Sequence, residues 1–206
     1  MPETESIPIA VIGGGVIGLS VALRLAEKFG PNAVYLFERH GSLGEEQSGR
    51  NSGVIHSGIY YEPGSLKAAL CVSGNYELCR FCERHQIPFA IRGKLILAEN
   101  IEDESVLEFY QKRATIHGVR TSLISGRSIK YQEPNAVGKS ALLIPSSGVI
   151  DAASYTKTLE ILAGRAGVTI LKRNSISNIE ASSRGIDCEV QEANGKYSFR
   201  AEVLIN

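Results

Sequence analysis

The chain has 206 residues, of which 43% are hydrophobic and 21% are charged, an ordinary globular composition. Its 22 basic and 22 acidic residues cancel, so it has no broad positive field to attract nucleic acid or an anionic membrane surface. The composition therefore excludes recognition by bulk charge, and at roughly 150 residues per domain the length predicts one to two domains.

The predicted elements begin with a strand, a turn and a helix. Ile7–Ile12 is a short β-branched apolar run, and Leu19–Phe29 has apolar residues at helical spacing after a glycine cluster. Ala33–Phe37 is a second continuous apolar run, which is typical of a strand buried on both faces of a parallel sheet. The first 38 residues therefore predict a βαβ unit whose second strand ends at Glu38.

The middle of the chain has a different, α+β pattern. Residues 39–61 are rich in Gly and Ser and predict a long loop, which leads to a helix over Ser65–His85. A strand over Lys94–Ala98 and helices over Asp103–His117 and Ser125–Tyr131 are expected next.

The last third returns to a βα pattern. Asp151 is a candidate cap of a helix over Ala153–Ala166, and Val168–Leu171 predicts a parallel strand. Further strands are expected at Ser177–Ala181, Gly185–Gln191, Tyr197–Ala201 and Glu202–Asn206. The pair Asn194-Gly195 predicts a hairpin turn between two of them.

The first functional motif is Gly13-x-Gly15-x-x-Gly18, between a predicted strand and a predicted helix. In a dinucleotide fingerprint the first glycine permits the tight turn, the second admits a pyrophosphate, and the third lets the helix pack on the sheet. The free amides of Val16 and Ile17 would face the phosphates at the positive end of the helix dipole. The motif predicts dinucleotide binding, and the alternative interpretation is an ordinary glycine-rich turn.

Glu38 strengthens this prediction because it lies 20 residues past Gly18, at the end of the second strand. A carboxylate there accepts hydrogen bonds from ribose hydroxyls and disfavours a 2′-phosphate, which argues against NADP. Arg39 adjoins it and is included in the predicted site. The fingerprint alone does not separate NAD from FAD, and an unrelated surface glutamate is the alternative.

The loop that follows could wrap the middle of an extended dinucleotide. Arg50 would place positive charge near the pyrophosphate, while Ser48, Asn51 and Ser52 offer short polar groups and Gly53 allows close approach. From composition alone, a flexible surface loop explains the same residues equally well.

A specific resemblance emerges from GRNSGVIHSGIYYEPGSLKAALCV, which begins at residue 49, with GKLILA at 93–98 and GVID at 148–151. These segments closely resemble the L-2-hydroxyglutarate dehydrogenase and oxidase family of FAD-dependent oxidoreductases. That family belongs to the wider group of D-amino-acid, glycine and sarcosine oxidases. The resemblance implies FAD extended across a Rossmann-like, doubly wound α/β sheet with an antiparallel meander, and a partial α+β substrate domain.

The resemblance also implies a domain division and a reaction. We expect a discontinuous FAD-binding domain over 5–90 and 146–206, and a partial substrate domain over 91–145. The implied reaction is oxidation of an L-2-hydroxy acid, with 2-hydroxyglutarate favoured, by hydride transfer to flavin N5 and on to oxygen or a quinone. An amine or amino-acid oxidase of the same fold and a non-catalytic dinucleotide-binding fragment are the alternatives, and a NAD-binding protein is a third.

His56 is the candidate acid/base, because an imidazole with a reference pKa of about 6.5 can accept the hydroxyl proton near neutrality. The resemblance implies that His56 lies in the segment that approaches the flavin. The alternative is a histidine that hydrogen-bonds the loop or the flavin without moving a proton. By the same resemblance, the backbone near Ile176 would meet the adenine edge.

Two departures from the family pattern matter. Glu62 stands where many members carry Lys, which puts in doubt a contact with an anionic substrate there. The family continues for roughly as many residues again past the strand that ends at Asn206, so we expect this chain to be an amino-terminal fragment.

The remaining patterns favour structural roles. Cys79-x-x-Cys82 has helical spacing and no second ligand pair, which favours core packing over a metal site. Tyr60 and Tyr61 could orient a substrate carboxylate, but a pair of core tyrosines is favoured. Met1–Pro8 lacks the features of a secretory or transit signal, and the apolar runs are too short to span a bilayer, so we expect a cytoplasmic protein.

Overall fold

A computed structural model describes residues 5–100 and 102–206, which form two compact units. The first unit joins the chain up to Asn51 with Ala152–Asn206, and the second is Ser52–Asp151. The predicted segments 52–90 and 146–151 thus lie in the second unit. The assignment of FAD binding to residues 5–90 and 146–206, and of substrate binding to residues 91–145, stays a prediction.

The elements alternate along the chain. The strands are β1 (Glu5–Ile12), β2 (Val34–Glu38), β3 (Val54–Ile55), β4 (Phe89–Ile91), β5 (Lys94–Ala98), β6 (Ser122–Ser125), β7 (Ser140–Ile144), β8 (Gly148–Ile150), β9 (Thr169–Lys172), β10 (Ser175–Ser182), β11 (Gly185–Glu192) and β12 (Gly195–Ile205). The helices are α1 (Val16–Phe29), α2 (Leu66–His85), α3 (Glu104–Ile116), α4 (Gly126–Gln132) and α5 (Ala152–Arg165). The helices α2 to α5 agree with the predicted ranges to within one residue at each end.

One six-stranded sheet organises the first unit, in the order β10-β11-β12-β1-β2-β9. The strands β12, β1, β2 and β9 run parallel to one another, and β10, β11 and β12 form an antiparallel meander. The chain passes from β1 to β2 on one side and returns to β12 on the other, which makes β1 a topological switch point. This topology confirms the predicted α/β sheet with its meander.

The carboxyl-terminal strand corrects the prediction of two separate strands. β12 is one strand of 11 residues, where Tyr197–Ala201 and Glu202–Asn206 were expected as two. Ala201 pairs with Ile186 of β11 on one side and with Ile7 of β1 on the other. The strand stays continuous because its first part belongs to the meander and its second part to the parallel sheet, a change of partner that requires no turn.

The hairpin before β12 is confirmed with a shift of one residue. Glu192 pairs with Gly195, so the two turn residues are Ala193 and Asn194 rather than Asn194 and Gly195.

Aromatic stacking holds the core on one face of this sheet. The rings of Phe37 on β2 and Phe199 on β12 are parallel, with centroids 4.6 Å apart, and both side chains are buried. Ala10 on the intervening strand belongs to the same cluster, and its small side chain leaves room for the two rings. The core therefore joins the βαβ unit to the meander.

Helix α1 begins at Val16, one turn before the predicted Leu19. A Cβ atom on Gly18 would overlap the carbonyl oxygen of Gly13, so the helix can sit this close to the turn only with glycine there. Gly13 itself has φ +101°, and its amide donates to Phe37 O at 2.8 Å. The glycine turn is thus fixed to both neighbouring strands.

The second unit contains two three-stranded sheets, β3-β8-β4 and β5-β7-β6. Helix α3 packs on β5 and β7 around the buried side chains of Leu107, Leu142 and Ile144. Cys82 on α2 is fully buried, as expected for core packing. Burial raises the pKa of Cys82 to about 11, so its thiol is protonated at neutral pH.

Within residues 5–100 and 102–206, no helix combines the length and the apolar character needed to cross a membrane.

We predict that Gly18→Ala destabilises the chain by about 3 kcal/mol, because the methyl group must push α1 away from the Gly13 carbonyl. Urea denaturation measures the free energy of unfolding. The matched control is Gly164→Ala in α5, where a Cβ meets no atom within 4 Å, and which should gain about 1 kcal/mol of helix propensity. Equal stability of Gly18→Ala and wild type would contradict the close approach.

Candidate functional site: a groove at the glycine turn

A cavity of about 500 Å³ opens at the carboxyl ends of β1 and β12, where the sheet has its switch point. Its lining includes Ile205 and Asn206 from the end of β12 and loop residues such as Ser48 and Asn51. The predicted residues Gly13, Gly15, Val16, Ile17 and Gly18 line its remaining side. The structure thus brings the fingerprint and part of the following loop together around one space.

A second cavity, of about 330 Å³, lies beside the first. Glu38, Arg39 and Ile176 line it, three residues that the sequence assigned to the adenosine end of a dinucleotide. The two cavities share Ile12, Gly13, Gly15, Glu46 and Asn206. We call the two together the glycine-turn groove.

The start of α1 supplies amide donors to this groove. Its N-cap is Gly15, whose lack of a side chain leaves the helix without a side-chain cap of its own. The hydroxyl of Ser48 accepts a hydrogen bond from Val16 N at 3.0 Å. A Cβ on Gly15 would lie 2.8 Å from Ser48 Oγ, whereas a Cβ on Gly13 would meet no atom within 4 Å. The turn is therefore open to the cavity at Gly13, while Ser48 packs against Gly15 and accepts from the Val16 amide.

Glu38 brings a buried carboxylate to the other half of the groove. Its side chain is buried, and its two oxygens accept hydrogen bonds from Gly14 N and His40 N, each at 2.7 Å. Each carboxylate oxygen has a second lone pair and can still accept from a ribose hydroxyl. Glu38 thus connects the end of β2 to the glycine turn and remains able to bind a sugar.

Charged side chains surround the point where the two cavities meet. Glu46 lines both cavities, and it pairs with His40 Nε2 at 2.8 Å and Arg39 Nη2 at 2.9 Å. The hydrogen bond from His40 lowers the pKa of Glu46, and the positive charge of Arg39 lowers it further. The two partners offset the repulsion that this carboxylate would exert on a diphosphate.

Asn174 is a groove residue that the sequence analysis missed. Asn174 is buried, and its backbone N–H donates to the backbone carbonyl of Glu38 at 2.9 Å. Its side-chain Oδ1 accepts from Tyr197 OH at 2.6 Å. Asn174 follows β9, a parallel strand beside β2, and the carboxyl ends of parallel strands meet at one edge. That rule could have identified it. No sequence signal identified Glu46, an exposed loop residue.

Other predicted residues lie outside the groove. Arg50 is an exposed residue of the same loop, and it is not among the residues that line either cavity in the described chain. Ser52 and Gly53 belong to the second unit, where Ser52 is exposed and Gly53 packs against the carbonyl of Ile150.

His56, the candidate acid/base, also lies in the second unit, directly after β3. Its side chain is exposed, while its backbone carbonyl accepts a hydrogen bond from Asn75 Nδ2 at 2.9 Å.

The prediction that Tyr60 is a core residue is wrong, because Tyr60 is 39% exposed and packs edge-to-face on Tyr110. Glu62 forms an ion pair with Arg113.

Comparison with known proteins identifies the family of the chain. A sequence model of the family described as FAD dependent oxidoreductase matches residues 8–206. L-2-hydroxyglutarate dehydrogenase of Indibacter alkaliphilus is 35% identical over 208 residues, covering 96% of this chain and 49% of that protein. The mitochondrial human protein of the same name is 35% identical over 190 residues, covering 90% and 41%. The chain thus spans about half the length of these relatives.

Solved structures give the same fold. L-alpha-glycerophosphate oxidase from Mycoplasma pneumoniae, with FAD bound, superposes with a TM-score of 0.86 at 27% identity and covers 97% of this chain and 53% of its own. Glycine oxidase from Geobacillus kaustophilus gives a TM-score of 0.85 at 21% identity, covering 98% and 55%.

The matched family model, the relatives and the fold therefore agree with one another, and they confirm the predicted FAD-dependent oxidoreductase class and its cofactor. The chain belongs to the FAD-dependent oxidoreductase family.

Proposed function

We propose that the glycine-turn groove holds FAD in an extended conformation, with its adenosine at Glu38 and Ile176 and its pyrophosphate at the start of α1. The supporting observation is the glycine turn at the start of α1, where Gly13, Gly15 and the first helical residues line a cavity at the switch point of the sheet. Glu38 accepts from the ribose hydroxyls in this proposal, while Gly14 N and His40 N hold its carboxylate in place.

Around the phosphates, the chain contributes donors rather than a strong net charge. The amides of Val16 and Ile17 point along the helix axis, and the Ser48 hydroxyl can donate to a phosphate oxygen while it accepts from Val16 N. Asn51 offers a further polar side chain in the same cavity. Arg50, Ser52 and Gly53 remain predicted contacts of the middle of the cofactor.

We further propose that the whole protein oxidises an L-2-hydroxy acid, with 2-hydroxyglutarate as substrate and 2-oxoglutarate as product. The names of relatives at 35% identity support this substrate. FAD, when bound, supplies the acceptor for the hydride from the substrate carbon. His56 takes the proton of the substrate hydroxyl in this proposal, because it is an exposed imidazole in the segment with the family resemblance. Oxygen or a quinone as electron acceptor and a cytoplasmic location stay predictions.

Gly15→Ala should weaken FAD binding about tenfold or more, equivalent to about 1.4 kcal/mol, because its methyl group would overlap Ser48 Oγ, which accepts from Val16 N beside the proposed phosphate site. Titration of the 206-residue chain with FAD measures the dissociation constant. Gly164→Ala, on the outer part of α5, is the control and should bind FAD normally. Unchanged affinity in a folded Gly15→Ala would exclude a phosphate at this turn.

Glu38→Gln should reduce the thermal stabilisation of the chain by FAD and by ADP, and leave any stabilisation by FMN unchanged, because FMN lacks the adenosine ribose. The substitution also removes one acceptor, so Gly14 N or His40 N would face an NH2 group. This should cost about 1–3 kcal/mol of stability without ligand. The shift in melting temperature is therefore compared within each variant. If Glu38→Gln reduced the thermal stabilisation by FMN as much as that by FAD, Glu38 would not bind the adenosine ribose.

The substrate proposal is tested on the whole protein with its flavin, under anaerobic conditions. L-2-hydroxyglutarate should bleach the oxidised flavin band, and glycine, sarcosine and D-alanine should not. Bleaching by one of the three amino compounds alone would instead identify an amine or amino-acid oxidase of the same fold. If the 206-residue chain itself is colourless and FAD leaves its melting temperature unchanged, that chain is a non-catalytic fragment, and its stabilisation by NAD instead of FAD would identify a NAD-binding protein.

A further inference from the structure

The backbone of His56 is held from one side by helix α2, within the second unit. The residues of α2 that contact the segment 56–58 are Ala68, Cys71, Val72 and Asn75. Their spacing of three, four and seven residues places them on one face of the helix. The side chain of His56, in contrast, is exposed.

Asn75 makes the strongest of these contacts. Its Nδ2 group donates to His56 O at 2.9 Å and to Ser146 O at 3.0 Å. Both partners are carbonyl oxygens, which can only accept, so the amide nitrogen and not the amide oxygen must face them. One NH2 group therefore uses both of its protons on two backbone segments that are 90 residues apart in sequence.

These two segments lie at the same end of the antiparallel strand pair β3 and β8, in the small sheet β3-β8-β4. His56 directly follows β3, Ser146 precedes β8, and the last antiparallel pair between the strands is Ile55 with Gly148. Both carbonyl oxygens only accept hydrogen bonds, so a donor is needed to join the two segments beyond the end of the ladder. The Asn75 amide supplies that donor and bridges the two segments.

Two further contacts restrict the same segment. Cys71 Sγ lies 3.7 Å from His56 O, as a weak additional donor. Gly58 has φ +90°, and a Cβ there would lie 2.9 Å from Val72 Cγ2, so the chain approaches α2 as closely as glycine allows. Helix α2 thus restricts this segment in two ways, by hydrogen bonds to the His56 carbonyl and by packing against Gly58.

We propose that Asn75 is a positioning residue, which fixes the backbone from which the exposed imidazole of His56 projects. The catalytic consequence rests on the proposed function of His56. An acid/base acts only at hydrogen-bond distance from the proton it moves, and a displacement of about 1 Å can cost about 100-fold in rate. An anchor outside the reacting atoms therefore contributes to the rate without contacting cofactor or substrate.

The test compares Asn75→Leu, which has nearly the same shape and no donor, with Ser73→Ala. Ser73 lies on another part of α2, and its hydroxyl bonds only to carbonyls of that helix, at Ala69 and Leu70. The first measurement is hydrogen–deuterium exchange of peptides covering residues 54–61 in the 206-residue chain. We expect about tenfold faster exchange in Asn75→Leu and no change in Ser73→Ala.

The second measurement is stopped-flow reduction of the flavin by L-2-hydroxyglutarate in the whole protein. Asn75→Leu should lower the limiting rate constant by about 10- to 100-fold and leave the FAD dissociation constant within about twofold. Asn75→Ser, which keeps one donor, should be intermediate, and it replaces the leucine variant if that variant does not fold.

Three outcomes are decisive. Unchanged exchange over residues 54–61 in Asn75→Leu would overturn the positioning role, whatever His56 does. Faster exchange with an unchanged rate constant would show that the anchor is structural only, which also overturns the proposal. A normal rate constant in His56→Gln would refute the proposed base, and the exchange experiment, which needs no substrate, separates that failure from a failure of the anchor.

Discussion

The close approach of Gly18 to the carbonyl oxygen of Gly13 is the constraint on which the first unit depends. Because no side chain separates them, α1 starts almost directly above the end of β1, and its first residues line the cavity beside the switch point. A larger residue at position 18 cannot fit without moving the helix. The close packing of α1 and the proposed phosphate site therefore depend on the same backbone feature.

The carboxylate of Glu38 has a similar double role. It is buried because two backbone amides, those of Gly14 and His40, replace the water that it loses. The bond from Gly14 N also holds the glycine turn against the end of β2. A ribose bound to this carboxylate would thus meet a group whose direction the protein has already fixed, which limits the entropy lost on binding.

The second unit is organised around short strand pairs whose ends are completed by side chains. β3 has only two residues, and a pair this short has little stability of its own. Helix α2 adds packing, and the Asn75 amide adds two hydrogen bonds that the strand pair lacks. The exposed His56 is the first residue after β3. An exposed imidazole on a restrained backbone would suit the acid/base role proposed for His56.

The sequence by itself determined the βαβ unit, the glycine turn and Glu38, because local periodicity and a fixed spacing encode them. It also determined the family, through the segment that begins at residue 49. Only the tertiary structure decided the partners of β12, the groove position of Glu46 and the bridge from Asn75 to Ser146. Each of these joins residues far apart in the chain or changes a strand's neighbour without a turn, and a sequence pattern carries no signal for such pairings.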